Sequence, residues 1–279
     1  MYQNCLNLSR RGFLAAAAAI PCLKGADSMP GCVLAIEQEE GPYYVDGAKI
    51  RRDITESKPG VPLLLRVALV YAKRCTPLAN AALDIWHCDA EGVYSGFTSG
   101  NPGGPGPRPG SLQQMQGFGP GLPPPGGRRS RKVDATRFLR GVQVSNQQGM
   151  VEFATLYPGW YVGRAIHVHL KVHLGGDRAQ DTYQGGHVSH TGQFFFPEDV
   201  TERIARMQPY AKHLNVGRTT QEQDGIFRSQ HGSSSLVHLE RAGNSSETDG
   251  FIATVTVAVD PDLTPAPARG PGGPPPFAR

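Results

Sequence analysis

Arg164-Ala165-Ile166-His167-Val168-His169-Leu170-Lys171-Val172 alternates without a break: Ile166, Val168, Leu170 and Val172 are apolar, and His167, His169 and Lys171 between them are polar. Period two marks a strand with one buried face, because successive side chains point to opposite sides. The two imidazoles therefore share a face, roughly 6.6 Å apart along the strand. Two histidines so placed can bend onto one metal ion with bonds of about 2 Å. A polar face that binds nothing shows the same pattern. What favours the metal is the approach, Tyr157-Pro158-Gly159-Trp160-Tyr161-Val162-Gly163, a turn that delivers a tyrosine six residues before His167.

Working outward, alternation recurs. Leu63, Leu65, Val67, Leu69 and Tyr71 fall on one face of a strand over 61–72, and residues 82–88, 140–145, 150–156, 166–174 and 251–259 also predict strands. Asn146-Gln147-Gln148-Gly149 predicts a hairpin turn. Only residues 198–208 predict a helix, with Pro197-Glu198-Asp199 at its start and Val200, Ile204 and Met207 on one face. Short strands with so little helix predict a mainly β fold, an antiparallel β-sandwich with long loops and one short helix, occupying residues 27–263.

Residues 1–26 contain no acid, and Ser9-Arg10-Arg11-Gly12-Phe13-Leu14 precedes an apolar run over 15–20. That is the pattern of a twin-arginine export signal, and the apolar run is far shorter than the roughly 20 residues a membrane span needs. A periplasmic or secreted protein with no membrane span after signal removal is expected. Losing residues 1–26 removes Arg10, Arg11 and Lys24, so 28 basic residues become 25 against 24 acids. A nearly neutral chain gives no reason to expect nucleic acid as a partner. Arg128-Arg129-Ser130-Arg131-Lys132 then reads as a solvated loop.

Between residues 100 and 127, 18 of 28 residues are Gly or Pro, so an insertion without packed elements is expected there. The tail, 264–279, has 9 of 16 and is expected to be disordered. Cys32, Cys75 and Cys88 remain after the signal, with no zinc-type Cys-x-x-Cys pair. Cys75 and Cys88 flank the turn around Asn80, which leaves a disulfide between them and two free buried thiols both open.

The second chemical cluster is Leu83-Asp84-Ile85-Trp86-His87-Cys88-Asp89-Ala90-Glu91-Gly92-Val93-Tyr94-Ser95-Gly96, a strand that ends in an acidic turn and presents Tyr94. This stretch resembles the Trp-His-x-x-x-x-Gly-x-Tyr-Ser segment of the intradiol ring-cleavage dioxygenases. Pro158-Gly159-Trp160-Tyr161 and the Arg164, His167, His169 run resemble that family's other two site segments, in the same order. Gly41-Pro42-Tyr43-Tyr44, Phe138-Leu139-Arg140-Gly141 and His190-Thr191-Gly192-Gln193-Phe194-Phe195-Phe196 resemble its exported branch. The likeness spans about residues 32 to 259.

The resemblance implies that Tyr94, Tyr161, His167 and His169 are the four ligands of a non-haem ferric ion, Fe(3+). The chemistry agrees, because a phenol with a pKa near 10 ionises at neutral pH only beside a strong Lewis acid, and two hard oxygen anions with two imidazoles suit Fe(III). The substrate would be a catechol that chelates the metal and displaces Tyr161, whose phenolate then takes a proton; with O2 it would be cleaved to a cis,cis-muconate-type diacid. Arg164 would stabilise negative charge growing on the ring, with a structural salt bridge as its plainer role, and Gln193 would line the same pocket or simply pack. Gly163 departs from the family, since a protocatechuate-type enzyme carries a bulkier aromatic there. Assembly as a homodimer is compatible with such a chain.

Other polar residues carry plainer expectations. His87 packs or makes a structural hydrogen bond, Lys171 is solvated, and His173 lies too far along the strand to share the ion. His187, His190, His213, His231 and His238 receive no role. Tyr43, Tyr44 and Trp160 are pocket wall or core, with Tyr44 the better candidate to touch substrate. A cupin would want a glutamate shortly after His169, a zinc hydrolase would leave the tyrosines unexplained, and a secreted binding module for aromatics or polysaccharide would keep the site without turnover.

Overall fold

The structure is a computed structural model that describes residues 33–98, 132–243 and 246–269. The expected export signal over 1–26, the expected insertion over 100–127 and residues 270–279 of the tail lie outside them. Residues 264–269 form no helix or strand.

Among the described residues, nine strands build two sheets. The first holds β1 (Pro62–Tyr71), β2 (Thr76–Pro77), β5 (Met150–Leu156), β8 (His238–Arg241) and β9 (Phe251–Val259). The second runs in the order β4 (Arg140–Val144), β3 (Ala82–Trp86), β6 (His167–Ala179), β7 (Thr182–Phe195). One buried cluster joins them: Leu63, Leu65, Val67 and Leu69 of β1 and Phe153 of β5 meet Leu83 and Ile85 of β3, Val168, Leu170 and Val172 of β6, and Phe194 of β7. Removing this apolar surface from water, at roughly 25 cal/mol per Å², is the main term that favours the sandwich.

The mainly β architecture is as expected, with three departures in detail. First, β1 and β9 pair in parallel, from Leu63 opposite Phe251 to Tyr71 opposite Val259. This register sets Leu65 against Ala253 and Leu69 against Val257, so the apolar faces of two strands far apart in the chain coincide. Second, the predicted helix runs only over Glu198–Ala205 (α1), and a second one, α2 (Gly225–Ser229), is capped by Asp224, whose carboxylate accepts from Ile226 N and Phe227 N. Third, Asn146–Gly149 is a tight turn, with Gly149 N donating to Asn146 O at 2.9 Å, but it joins no hairpin. It carries the chain from β4 in one sheet to β5 in the other, because β5 finds its partner in β1 over seven residue pairs.

Cys75 is disulfide-bonded while Cys88 is free and buried, so the two do not pair. Cys88 lies just past β3 of the second sheet and Cys75 at a turn of the first.

His167, His169 and Lys171 point away from the core, onto the outer face of the second sheet. Residues 37–44 cross that face as a strap. Gln38 N donates to Thr191 O at 2.9 Å, and Gln193 N donates to Gln38 Oε1 at 2.6 Å. This cover corrects the expectation for Lys171. Its ammonium pairs with Glu40 and sits 3.7 Å from the centre of the Tyr44 ring, so the residue is buried rather than solvated.

Candidate active site

Two turns and one strand bring Tyr94, Tyr161, His167 and His169 together. β6 supplies the imidazoles. Their Nε2 atoms lie 3.0 Å apart, and the Tyr161 and Tyr94 hydroxyls lie 3.3 Å and 3.4 Å from His167 Nε2. All four side chains are buried.

The two phenols come from turns that interlock. After β3, Asp89 Oδ1 accepts from Glu91 N and Val93 N and shapes the bend that leads to Tyr94. Gly92, at φ +76°, lies so close to the second turn that a Cβ would stand 2.1 Å from Trp160 O. Gly159 returns the contact, since a Cβ there would stand 2.4 Å from Asp89 O. Trp160 Nε1 donates to Val216 O at 2.8 Å and His213 Nε2 donates to Trp160 O at 2.9 Å, which anchors the residue before Tyr161.

Aromatic rings wall the cluster. Trp86 stacks on His169 with centroids 5.0 Å apart, and Tyr43 stacks on Tyr94 at 4.4 Å. Tyr43, not Tyr44, thus borders the phenols. Tyr44 is turned away by a hydrogen bond from its hydroxyl to Asp84 Oδ2 at 3.0 Å.

His167 Nδ1 donates to Ala165 O at 2.6 Å, which places the proton on Nδ1 and leaves the Nε2 lone pair facing the phenols. Burial, followed by the positive charge of Arg164, pulls His167 down to about 3; burial, then His167, holds His169 well below its usual value. Both rings are therefore neutral and able to donate. Burial, then the neighbouring Tyr161, pushes Tyr94 far up, and burial likewise raises Tyr161. The phenols stay protonated unless a strong positive charge sits between them.

The donor set fits a metal ion. Atoms bound at about 2.0 Å to a common centre stand about 2.8 to 3.3 Å apart for right-angle to tetrahedral arrangements. The spacings around His167 Nε2 fall in or just above that range. Gly41 leaves the cradle open, since a Cβ there would stand 2.9 Å from His169 Cε1. No group of three or more His, Cys, Asp and Glu placed to hold a metal occurs among the described residues; this cluster is two imidazoles and two phenols.

Arg164 lies at the rim, 13% exposed. Its Nε donates to Asp224 Oδ2 at 3.1 Å, Nη1 to Glu39 Oε1 at 3.2 Å, and Nη2 to Gln193 Oε1 at 2.5 Å. The salt bridge expected as its plainer role is present. Gln193 Nε2 donates to Glu39 O at 2.9 Å, so both polar ends of Gln193 are spent on orienting the arginine and the strap. Burial alone would raise Asp224, yet Arg164 and the Ala165 N–H hold it below the usual carboxylate range; burial raises Glu39 despite Arg164.

Glu39 and Asp224 were not anticipated from sequence. They lie 125 and 60 residues from Arg164, and the only hint was the acidic run Glu37-Gln38-Glu39-Glu40 just before Gly41. His87 is structural as expected, donating from Nδ1 to Cys88 O and accepting at Nε2 from Thr155 Oγ1, both at 2.7 Å. His190 also has a structural place, bonded through Nδ1 to Glu37 at 2.5 Å. His173 stands off the cluster, 4.0 Å from Asp84 Oδ2.

No family model matches the chain, and no curated protein matches it in sequence. Solved structures do. An intradiol ring-cleavage dioxygenase from Tetranychus urticae is 31% identical, with 82% of this chain and 96% of that one covered and a TM-score of 0.65. A second dioxygenase is 30% identical over 82% of this chain and 95% of its own, also at 0.65. The dioxygenase domain of a dioxygenase carbohydrate-binding protein fusion from the cellulolytic bacterium Streptomyces sp. SirexAA-E shares the fold, at 22% identity, 81% and 98% coverage and a TM-score of 0.50. Two phenols and two imidazoles converge on the outer face of this two-sheet β fold, and the solved structures that it resembles are dioxygenases. The chain belongs to the intradiol ring-cleavage dioxygenase family.

Proposed function

We propose that the enzyme holds one ferric ion through Tyr94, Tyr161, His167 and His169 and uses O2 to cleave a catechol between its two hydroxyl-bearing carbons, giving a cis,cis-muconate-type dicarboxylate. The observation that carries this is the convergence of two phenol oxygens and His169 Nε2 within 3.4 Å of His167 Nε2. When bound, a ferric ion would supply Lewis acidity, favouring the ionised phenols and withdrawing electron density from a catechol.

The chain's own groups do the rest. His167 and His169 bind as neutral imidazoles. Tyr161, on the turn before β6, would be the phenol that accepts a catechol proton at its oxygen. Tyr94, stacked under Tyr43, is fully buried. Arg164 is fixed by Asp224, Glu39 and Gln193, so its positive charge is in place before negative charge develops on the ring. The strap and the wall of Trp86, Tyr43 and Phe195 keep water from the ring. Gly163 has open space around its would-be Cβ, so it contributes no side chain that bounds the substrate.

Metal analysis with a visible spectrum tests the centre, and oxygen uptake over a panel of catechols with mass spectrometry under ¹⁸O₂ tests the reaction. One ferric ion per chain, a red colour abolished by Tyr94→Phe with Tyr161→Phe, and label in a ring-opened diacid are expected. Stoichiometric zinc, or full ferric loading without oxygen uptake on any catechol, would overturn the proposal.

A further inference from the structure

Three buried side-chain polar atoms have no hydrogen-bond partner among the described residues: Trp86 Nε1, His169 Nδ1 and Thr191 Oγ1. They fall in one place. Trp86 lies opposite His169 across β3 and β6, and Lys171 lies opposite Thr191 across β6 and β7. Opposed residues of an antiparallel pair share a face, so Thr191 stands on the outer face, one diagonal step from His169. Diagonal neighbours are about 7–8 Å apart at the backbone, a gap that an imidazole, one water and a hydroxyl fill.

The His169 ring decides what is needed there. Its Nε2 faces His167, and Nδ1, one carbon removed around the ring, is buried on a face that Thr191 shares. If Nε2 gives its lone pair to a metal, the ring proton must sit on Nδ1, a buried donor that finds no acceptor among the described residues. Leaving such a group unmatched costs about 1–3 kcal/mol. Thr191 is held in place by its backbone, with its N–H on Glu37 Oε2 and its carbonyl accepting from Gln38 N, both at 2.9 Å, while its hydroxyl is unspent. Buried polar atoms in a pocket of this kind are ordinarily joined by an internal water with two to four partners.

We propose that Thr191 is a positioning residue for His169, acting through one buried water that accepts from His169 Nδ1–H and donates to Thr191 Oγ1. The inference rests on the metal-binding role of His169. Its function is to fix the tautomer and aim of the imidazole. Partners of this kind typically contribute 10- to 100-fold to metal retention.

The test uses the iron-loaded full chain and follows loss of the visible colour to a ferric chelator. Thr191→Val keeps the shape and removes the hydroxyl, and release about tenfold faster than in the parent is expected; Thr191→Ser restores the hydroxyl and the parent rate. Release from Thr191→Val at the parent rate, or equally fast release from Thr191→Ser, overturns the proposal. A second measurement needs no variant. In the parent chain loaded with diamagnetic gallium(III), the His169 Nδ1 proton is expected to show a nuclear Overhauser contact to a bound water, and its absence overturns the proposal too. Failure of the centre itself reads differently, because the parent chain would then take up no ferric ion at all.

Discussion

Arg164 holds two jobs that a substitution separates. Its guanidinium is the counter-charge of Asp224 and Glu39, both largely buried, and the charge offered to the substrate ring. Removing one partner of a buried pair costs about 3–5 kcal/mol, because the remaining carboxylate stays buried without compensation. Arg164→Met is therefore expected to lower the melting temperature as well as the turnover, and adding Asp224→Asn should recover stability alone. Turnover should remain about 10²- to 10³-fold down in both, with iron and colour retained. Steady-state oxygen uptake beside thermal melts checks this; recovery of turnover together with stability would show that Arg164 acts only as a structural ion.

At this scale the site was legible. Alternation placed His167 and His169 on one face, and the resemblance to the family's segments singled out Tyr94 and Tyr161; the structure brings the four together. What sequence could not give were partners brought in by topology. Glu39, Glu40 and Asp224 carried no expectation, because nothing in their own neighbourhood says that a strap and a helix start will bury them against Arg164 and Lys171.

At the scale of elements, the spacing of the two phenols is set where the turns touch, at Gly92 and Gly159. Gly92→Ala adds a methyl that would overlap Trp160 O in a left-handed backbone. Gly47 offers a control, since it has φ +72° and nothing within 4 Å of a would-be Cβ. Both alanine variants carry backbone strain of about 1–3 kcal/mol. Only Gly92→Ala should also weaken iron uptake, as read by titration of the visible band, because only there is Tyr94 pushed off Tyr161. Equal iron affinity in the two variants would mean that the turns adjust without moving the phenols.

The strands β1, β3, β4, β5, β6 and β9 were readable from apolar alternation, and β7 only at its end. Its first half, Thr182-Tyr183-Gln184-Gly185-Gly186, has no alternation to read, and it is a strand because it pairs with the extension of β6 from Gly176 to Ala179. The turn at Asn146–Gly149 has hairpin chemistry but joins two sheets. Local sequence fixes a turn's shape, while the choice of partner strand is made by the rest of the core.

For the whole molecule, buried ionisable groups set the pH dependence of stability. His87 is fully buried as a neutral ring, and burial, opposed by its bond to Cys88 O, lowers it to about 4. Between about pH 4 and 6.5 the unfolded chain binds this proton and the folded chain does not. Stability from His87 is thus complete above pH 6.5 and falls by about 3 kcal/mol as pH drops to 4. Asp84 acts in the opposite direction. Burial raises it to about 7 against the pull of Tyr44, Arg140 and Lys171, so from about pH 3.8 to 7 the folded chain holds the extra proton. Its contribution is complete below pH 3.8 and is lost as pH rises to 7, a penalty of roughly 4 kcal/mol at most. His167 and His169, which burial also lowers, add to the rising slope of His87, so the metal-free parent should gain stability from pH 4 to 6.5 despite Asp84. Asp84→Asn keeps an oxygen for the Tyr44 hydroxyl and removes only the falling slope. The variant, compared with the parent as metal-free protein, should gain stability steadily from pH 4.5 to pH 7, as measured by denaturant midpoints. A difference that does not change with pH would mean that Asp84 is already ionised in the folded chain at pH 4.5, with Arg140 and Lys171 outweighing its burial.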